Sequence, residues 1–184
     1  IVVADDPGMH SSQNEQDSRH YAKAAKMPML EPADSAECLE YTKLAYEISE
    51  KFDTPVFIKT CTRIAHSQSV VETSERVEVA VKPYEKNIAK NVMMPGNAKK
   101  KHPVVEQRLR DLAEYAETSP LNRVEMGGTK IGIITSSTCY QYAKEALGEN
   151  ASYLKLGCVY PLPVDMIKAF AAECETVYVL EELD

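Results

Sequence analysis

No apolar run in the 184-residue chain approaches the roughly 18–20 residues that cross a bilayer, so no membrane span is expected. A basic surplus is lacking as well. The 21 lysines and arginines face 28 aspartates and glutamates, a formal charge of −7, which argues against general nucleic-acid binding. The thiols are not clustered: Cys38, Cys61, Cys139, Cys158 and Cys174 are scattered with no C-x₂-C spacing. That spacing excludes a zinc or iron–sulfur site and predicts buried structural thiols in a reducing, cytoplasmic setting. With only four histidines, a His-rich metal cage is not expected either, and no metal site is predicted in this chain. Gly127, Gly128 and Gly132 do not compose a G-x-G-x-x-G fingerprint, and there is no Walker A loop. A leading methionine is missing too. Ile1 opens inside a strand-like apolar run, and the chain is expected to be a piece of a longer one.

What remains is an ordinary globular composition, 44% hydrophobic and 27% charged. Ile1-Val2-Val3-Ala4 reads as a strand buried on both faces, stopped by Asp5-Asp6-Pro7-Gly8. A polar stretch follows to Ser18, then a short helix over 19–26 and a brief strand at Met27–Leu30. The clearest helix starts at Asp34 or Ser35, which cap it, and carries Tyr41, Leu44, Ala45, Ile48 and Phe52 on one face. Asp53-Thr54-Pro55 closes it, and Val56-Phe57-Ile58 is the next strand. This strand–helix–strand rhythm predicts an α/β fold with a parallel sheet. Residues 73–103 change texture. Val77, Val79 and Val81 alternate as in a half-buried strand, while Pro83, Pro95, Gly96 and Pro103 break their surroundings. They read as an interdomain connector. A second α/β unit follows: a helix after Pro103 with Val105, Leu109, Leu112, Ala113 and Ala116 in a stripe, then a strand at Ile131–Ile134. Next come a helix from Tyr140 to Leu147 ended by Gly148 in a left-handed turn, a strand at Tyr153–Leu156, a helix opened by Pro163 and a last strand at Val177–Leu180.

The loop from Asp5 to Arg19 leaves the carboxyl end of a strand, where open α/β sheets bind ligands. His10, Gln13, Asn14, Arg19 and His20 make it a donor-rich set suited to a carboxylate or oxo group. The bland alternative, a solvated crossover loop, stays open. A possible secondary site, Arg63 with His66, follows the third strand, with a plain exit loop as its alternative. Asp5-Asp6 reads as a turn-former before a Mg²⁺ ligand pair, and Lys99–His102 as a solvated run before a phosphate contact.

The stretch Asp5-Asp6-Pro7-Gly8-Met9-His10-Ser11-Ser12-Gln13-Asn14-Glu15-Gln16-Asp17-Ser18-Arg19 resembles one family closely. It is similar to the large (alpha) subunits of the indolepyruvate ferredoxin oxidoreductases, thiamine-diphosphate-dependent 2-oxoacid oxidoreductases. Met29-Leu30-Glu31-Pro32, Thr62–Gln68, Gly132–Ser136, Tyr160-Pro161-Leu162-Pro163 and Val179-Leu180-Glu181-Glu182 extend the likeness along the whole chain. The resemblance implies that residues 1–72 are the rear part of a pyrimidine-binding thiamine domain and 73–103 a connector. Residues 104–184 are then an incomplete transketolase C-terminal-like, three-layer α/β/α domain.

The implied activity is oxidative decarboxylation of aryl pyruvates, with coenzyme A taking the acyl group and ferredoxin the electrons. The implied cofactors are thiamine diphosphate, Mg²⁺ and [4Fe–4S] clusters, and the implied assembly is a dimer of heterodimers with a beta subunit. The Gly-Asp-Gly motif for diphosphate and Mg²⁺ is absent, so catalytic groups are expected outside this segment and the piece alone is expected to be inactive. Within it, Arg19 is the first candidate to hold the substrate carboxylate, followed by His10, Asn14 and Gln13. Pyruvate or a branched-chain 2-oxoacid is the alternative substrate. A non-catalytic scaffold or dimerisation module is the alternative role.

Overall fold

The computed structural model of the protein describes residues 1–4, 6–9, 14–127 and 130–183. Strands β1 (Val2–Ala4), β2 (Met29–Leu30) and β3 (Phe57–Lys59) run parallel in the order β1-β3-β2, with Val2 and Met29 both opposite Phe57. Helix α1 (Ser18–Ala25) starts where the Asp17 side chain accepts the Arg19 N–H, and it ends at Lys26 in the left-handed region. Helix α2 (Ser35–Phe52) is capped by Asp34, whose carboxylate accepts the Glu37 N–H at 2.9 Å. Its Tyr41, Ala45 and Ile48 are buried on the predicted face, packed with Leu30, Val56 and Leu112. Residues 62–66, read from sequence as a loop, form the short helix α3 (Thr62–His66). Its free N-terminus is satisfied from across the sheet: the Asp6 carboxylate accepts the Thr62 N–H at 2.6 Å and also the Thr62 hydroxyl.

The connector departs from expectation. Val77, Val79 and Val81 are 82%, 78% and 95% exposed and form no strand. Alternation expresses β-propensity only where a neighbouring strand gives the pleat a partner, and the segment has none among the described residues. A single turn, α4 (Ile88–Asn91), precedes α5 (Pro95–Thr118), which begins at Pro95 and contains Pro103 in its interior. The missing N–H is tolerated because the turns around it face solvent. Leu112 and Ala116 are the buried residues of this helix.

The second sheet comprises β4 (Arg123–Glu125), β5 (Ile131–Ser136), β6 (Ser152–Leu156) and the last strand β8 (Thr176–Leu180), in the order β4-β6-β5-β8. Helix α6 (Ser137–Leu147) joins β5 to β6, and α7 (Val164–Ala172) leads into β8. Gly148 has φ 52° and ψ −125°, so the chain leaves α6 in a positive-φ turn outside the left-handed helical region that was expected. Strands β5, β6 and β8 are parallel and β4 is antiparallel to β6. Between them, β7 (Cys158–Tyr160) goes elsewhere. It pairs antiparallel with β2, so the first sheet reads β1-β3-β2-β7. Each sheet is therefore three parallel strands with one antiparallel edge. The outer strands β1 and β8 are not buried on both faces: Val3 is 71% and Val179 59% exposed.

Gly157 is the step from one sheet to the other. Its N–H donates to Asn122 Oδ1 at 3.0 Å and its carbonyl accepts the Glu31 N–H at 2.8 Å. A Cβ there would collide with the Leu121 carbonyl and the Tyr41 hydroxyl, so only glycine fits. Beside it, the fully buried Lys155 of β6 reaches Glu37 Oε2 at 2.5 Å and the Tyr41 hydroxyl at 2.6 Å. Arg123 adds a second cation on Glu37 Oε1 at 2.9 Å, and the Ala33 N–H donates to Oε2 at 2.7 Å. Burial pushes the Glu37 carboxyl up, but the charge and hydrogen bond of Lys155, with Ala33 and Arg123, outweigh it and hold the group below the ordinary range.

Removing one partner of such a pair leaves the other charge buried alone. Lys155→Met is expected to lower the unfolding free energy by about 3–5 kcal/mol in urea titrations. Since the folded pKa of Glu37 lies below its unfolded value, its stabilisation is complete above the unfolded pKa of about 4.3. It drains away as pH falls through the lowered folded value. Glu37→Gln is thus expected to flatten the loss of stability between about pH 5 and pH 3.

Candidate functional site

The carboxyl ends of β2 and β3 meet those of β5 and β8, and polar side chains fill the seam. Glu31, just past β2, is 1% exposed; its Oε1 lies 3.1 Å from Lys59 Nζ, itself on a residue 2% exposed. The Ser136 hydroxyl, ending β5, donates to Glu31 Oε2 at 2.8 Å. Nearby the buried Cys61 thiol donates to Thr138 Oγ1 at 3.9 Å. These residues carry charge into a seam that water barely reaches, and each charge is met by its opposite.

Arg19 stands at one side of this seam. Its Nε donates to Asp17 Oδ1 and Oδ2 at 3.0 and 2.8 Å, Nη2 lies 2.6 Å from Oδ2, and Nη1 donates to Glu181 Oε2 at 2.7 Å. Burial raises the Asp17 carboxyl, but the hydrogen bonds and charge of Arg19 prevail and hold it below its usual range. Arg63 makes the parallel contact one residue on: its Nη1 donates to Glu182 Oε1 at 3.3 Å, and its guanidinium lies 5.5 Å from the Tyr142 ring centroid. The two arginines read from sequence as separate candidates are thus brought onto successive glutamates that follow β8. His66 is exposed at the end of α3, and Asn14 is exposed in the polar loop. His10 and Gln13 lie outside the described residues. Asp6, weighed as a metal ligand, caps α3 instead.

Arg19, Asp17, Ser136 and Glu181 line one side of a cavity of about 550 Å³ that opens between α1 and the ends of the second sheet. Ile134 and Leu156 form part of its wall, with Val159 from β7 and Leu162 from the loop after it. Lys23 and His20 of α1 stand along it.

Sequence reasoning passed over Glu31, Lys59, Asp17 and Ser136. The available signal was a charged residue at or just past the end of a buried strand, twice, in Met29-Leu30-Glu31 and Phe57-Ile58-Lys59. Glu181 and Glu182 stood out as a motif, but their pairing with residues 162 and 119 positions away is set by the tertiary fold. Of the thiols expected to be buried, Cys61 and Cys158 are, while Cys38, Cys139 and Cys174 are half-buried; burial pushes Cys158 up to about 12 and Cys38 up to about 11.

The described residues do not fit the diphosphate–Mg²⁺ end of thiamine diphosphate or an iron–sulfur cluster. No group of three or more His, Cys, Asp or Glu side chains converges as a metal site among the described residues.

No protein-family model matches the chain. Among curated proteins, indolepyruvate oxidoreductase subunit IorA of Archaeoglobus fulgidus is 39% identical over 189 residues, covering all of this chain and 30% of the relative. The Methanothermobacter marburgensis IorA is 41% identical over 190 residues, covering 31% of its length. That of Thermococcus kodakarensis is 38% identical over 195 residues, covering 30%. The chain is similar, end to end, to a segment of IorA. It spans about three tenths of the length of these IorA sequences. The fold has a solved counterpart in a 2-oxoglutarate:ferredoxin oxidoreductase from Magnetococcus marinus with 2-oxoglutarate, coenzyme A and succinyl-CoA bound. That structure matches 83% of this chain and 34% of its own, with a TM-score of 0.54 and 16% identity. No helix of the described residues is long and apolar enough to cross a membrane.

The two arginines separate in a stability measurement. Arg19→Met strands the buried Asp17 carboxylate and is expected to cost about 2–3 kcal/mol. Arg63→Met touches a side chain 59% exposed, and a loss under about 1 kcal/mol is expected. Urea unfolding of the two variants side by side checks both values.

Proposed function

We propose that the chain serves within an oxidoreductase subunit that decarboxylates aryl 2-oxoacids oxidatively, with indolepyruvate as the type substrate. Similarity to IorA along all of its length is the observation that carries this reading. On it, coenzyme A accepts the acyl group, ferredoxin accepts the electrons, and a beta-type subunit completes a dimer of heterodimers in the cytoplasm. Thiamine diphosphate, Mg²⁺ and [4Fe–4S] clusters belong to regions other than these residues. On this reading residues 1–72 and 104–184 are the two α/β parts joined by the connector 73–103, with β7 of the second part completing the sheet of the first and α5 beginning inside the connector.

The part these side chains play is to position the acid. The loop ending at Arg19 holds the substrate carboxylate, with Asn14 and the neighbouring His10 and Gln13 as further donors and Arg63 with His66 as a second contact. Arg19 already carries two carboxylates, so the incoming acid takes the place of one. Glu181 is the one that gives way: its side chain is 40% exposed and returns to water at little cost, whereas Asp17 at 5% does not. Asp17 then keeps the guanidinium aimed while its outer edge changes partner.

Two measurements test this. Calorimetry of the 184-residue chain with thiamine diphosphate and Mg²⁺ is expected to show no binding; a saturable single site would overturn the assignment of the cofactor to other regions. In the complete two-subunit enzyme, ferredoxin reduction is expected with indolepyruvate in preference to pyruvate or a branched-chain acid. There, Arg19→Met is expected to raise KM for indolepyruvate about tenfold. Unchanged KM and kcat would remove Arg19 from the site.

A further inference from the structure

The chain between α3 and α4 has the sequence of a strand and lacks a sheet. Residues 67–87 enter no helix or strand, and every residue from 72 to 90 is exposed. No backbone hydrogen bond joins residues 68–86 to another described residue. Yet Arg76-Val77-Glu78-Val79-Ala80-Val81-Lys82 alternates with period two and is rich in β-branched residues, the composition of a paired strand and the opposite of a solvated linker. The run is held at both ends against α2. Lys43 donates to the Ser74 hydroxyl at 3.2 Å, and Lys82 donates to Glu50 Oε2 at 2.6 Å. An extended run placed in this way, with its N–H and C=O groups unpaired, offers an edge to another chain.

The side chains specify which chain. Residues directly opposite in an antiparallel pair share a face, so a two-fold axis at one residue fixes every other pair. With the axis at Ala80, Glu78 of each copy faces Lys82 of the other, Arg76 faces Tyr84, and Val79 faces Val81. Valines then occupy one face and opposite charges meet on the other. The neighbouring registers lose this match. Slipping the pairing by one residue either way puts Lys82 opposite Val77 or Val79, and slipping it by two puts Arg76 opposite Lys82 or Lys86. Pro83 fits the Ala80 register too. It falls opposite Val77, among the pairs that exchange no hydrogen bonds when Ala80 and Glu78–Lys82 are the hydrogen-bonded ones. The contacts that Glu78 and Lys82 make within one copy, to Arg76 and Glu50, lie between exposed side chains and are cheap to rearrange.

We propose that residues 76–84 of two copies of this chain pair as an antiparallel ribbon about a two-fold axis at Ala80. The ribbon gives a location to the pairing of subunits proposed above and rests on that assembly, while taking nothing from the substrate. Two strands alone are marginal in water. Here each is carried by a folded body, and the exposed Ile88, Met93 and Met94 that follow extend the apolar surface beyond its ends.

Sedimentation velocity of the 184-residue chain over a dilution series is expected to show a monomer–dimer equilibrium. Glu78→Lys and Lys82→Glu, both on exposed positions, are each expected to weaken it about tenfold or more, because each sets two like-charge pairs across the axis. The two substitutions together restore opposite charges and are expected to return the affinity to within about threefold of the parent. Under mild oxidation Ala80→Cys is expected to give a disulfide-linked dimer, since the two Cα atoms at the axis stand about 5.5 Å apart in such a pair. Arg76→Cys, whose two copies lie at opposite ends of the ribbon, is expected to give none. Circular dichroism certifies each variant as folded. The proposal is overturned if the parent is monomeric at every concentration, if either single variant dimerises as the parent does, if the double variant stays as weak as the singles, or if Ala80→Cys links no faster than Arg76→Cys. A dimer that persists in both single variants overturns the ribbon and leaves the pairing of subunits standing. No readout involves turnover, so the oxoacid reading stands or falls separately.

Discussion

The buried charge of Lys155 is the constraint around which the two sheets are arranged. An ammonium with no exposed surface must find an anion, and the one it meets comes from the other half of the chain, Glu37 at the start of α2. Meeting it fixes the distance between β6 and α2. The Tyr41 hydroxyl, 2.6 Å from the same ammonium, then settles the rotation of α2 that brings Ala45 and Ile48 onto the core. Hydrophobic contacts alone would hold the helix against the sheet without choosing its register; the ionic contact chooses it.

With that register set, the strand ends of both sheets point at one another. Glu31 with Lys59 and Ser136, and Arg19 with Asp17 and Glu181, are consequences of the same docking. A seam in which nearly every charge has a partner is rigid, because changing one member exposes another to an unfavourable environment. Rigid polar walls suit the orientation of a reactant more than proton transfer, which is the part proposed for Arg19. The cavity that opens on the seam adds an apolar floor of Ile134, Leu156 and Val159 to walls that include Asp17, Arg19, Ser136 and Glu181.

Much of this was legible in the sequence. Helix α2 was readable from Tyr41, Ala45 and Ile48 at helical spacing after Asp34, and β5 and β6 from short β-branched or apolar runs bounded by turn residues. Arg19 and Arg63 could be singled out because each follows a strand's carboxyl end. What stayed hidden depends on long-range pairing. Strand β7 has no alternation of its own and exists because β2 offers it an edge. Strand β4 is two charged residues around one valine. Pro103 looked like a helix start and is instead an interior residue of α5. The valines at 77, 79 and 81 show the converse, a local pattern with no partner to realise it. Glutamates at 181 and 182 could not be matched to their arginines without the fold that carries β8 to that seam.

The crossing at Gly157 has a consequence for how the protein is made. Strands β1, β2 and β3 lie within residues 2–59 yet their sheet takes an edge from residues 158–160, so that pairing cannot form until the chain through residue 160 has left the ribosome. During that interval the edge of β2 is bare, and α2 awaits the lysine that will neutralise Glu37. Such an arrangement makes completion of the first sheet contingent on the synthesis of residues far along the chain, a long-range pairing that slows folding. It also means that cleavage of the exposed stretch between α3 and α5 would sever the backbone while leaving both pieces interlocked by a shared sheet.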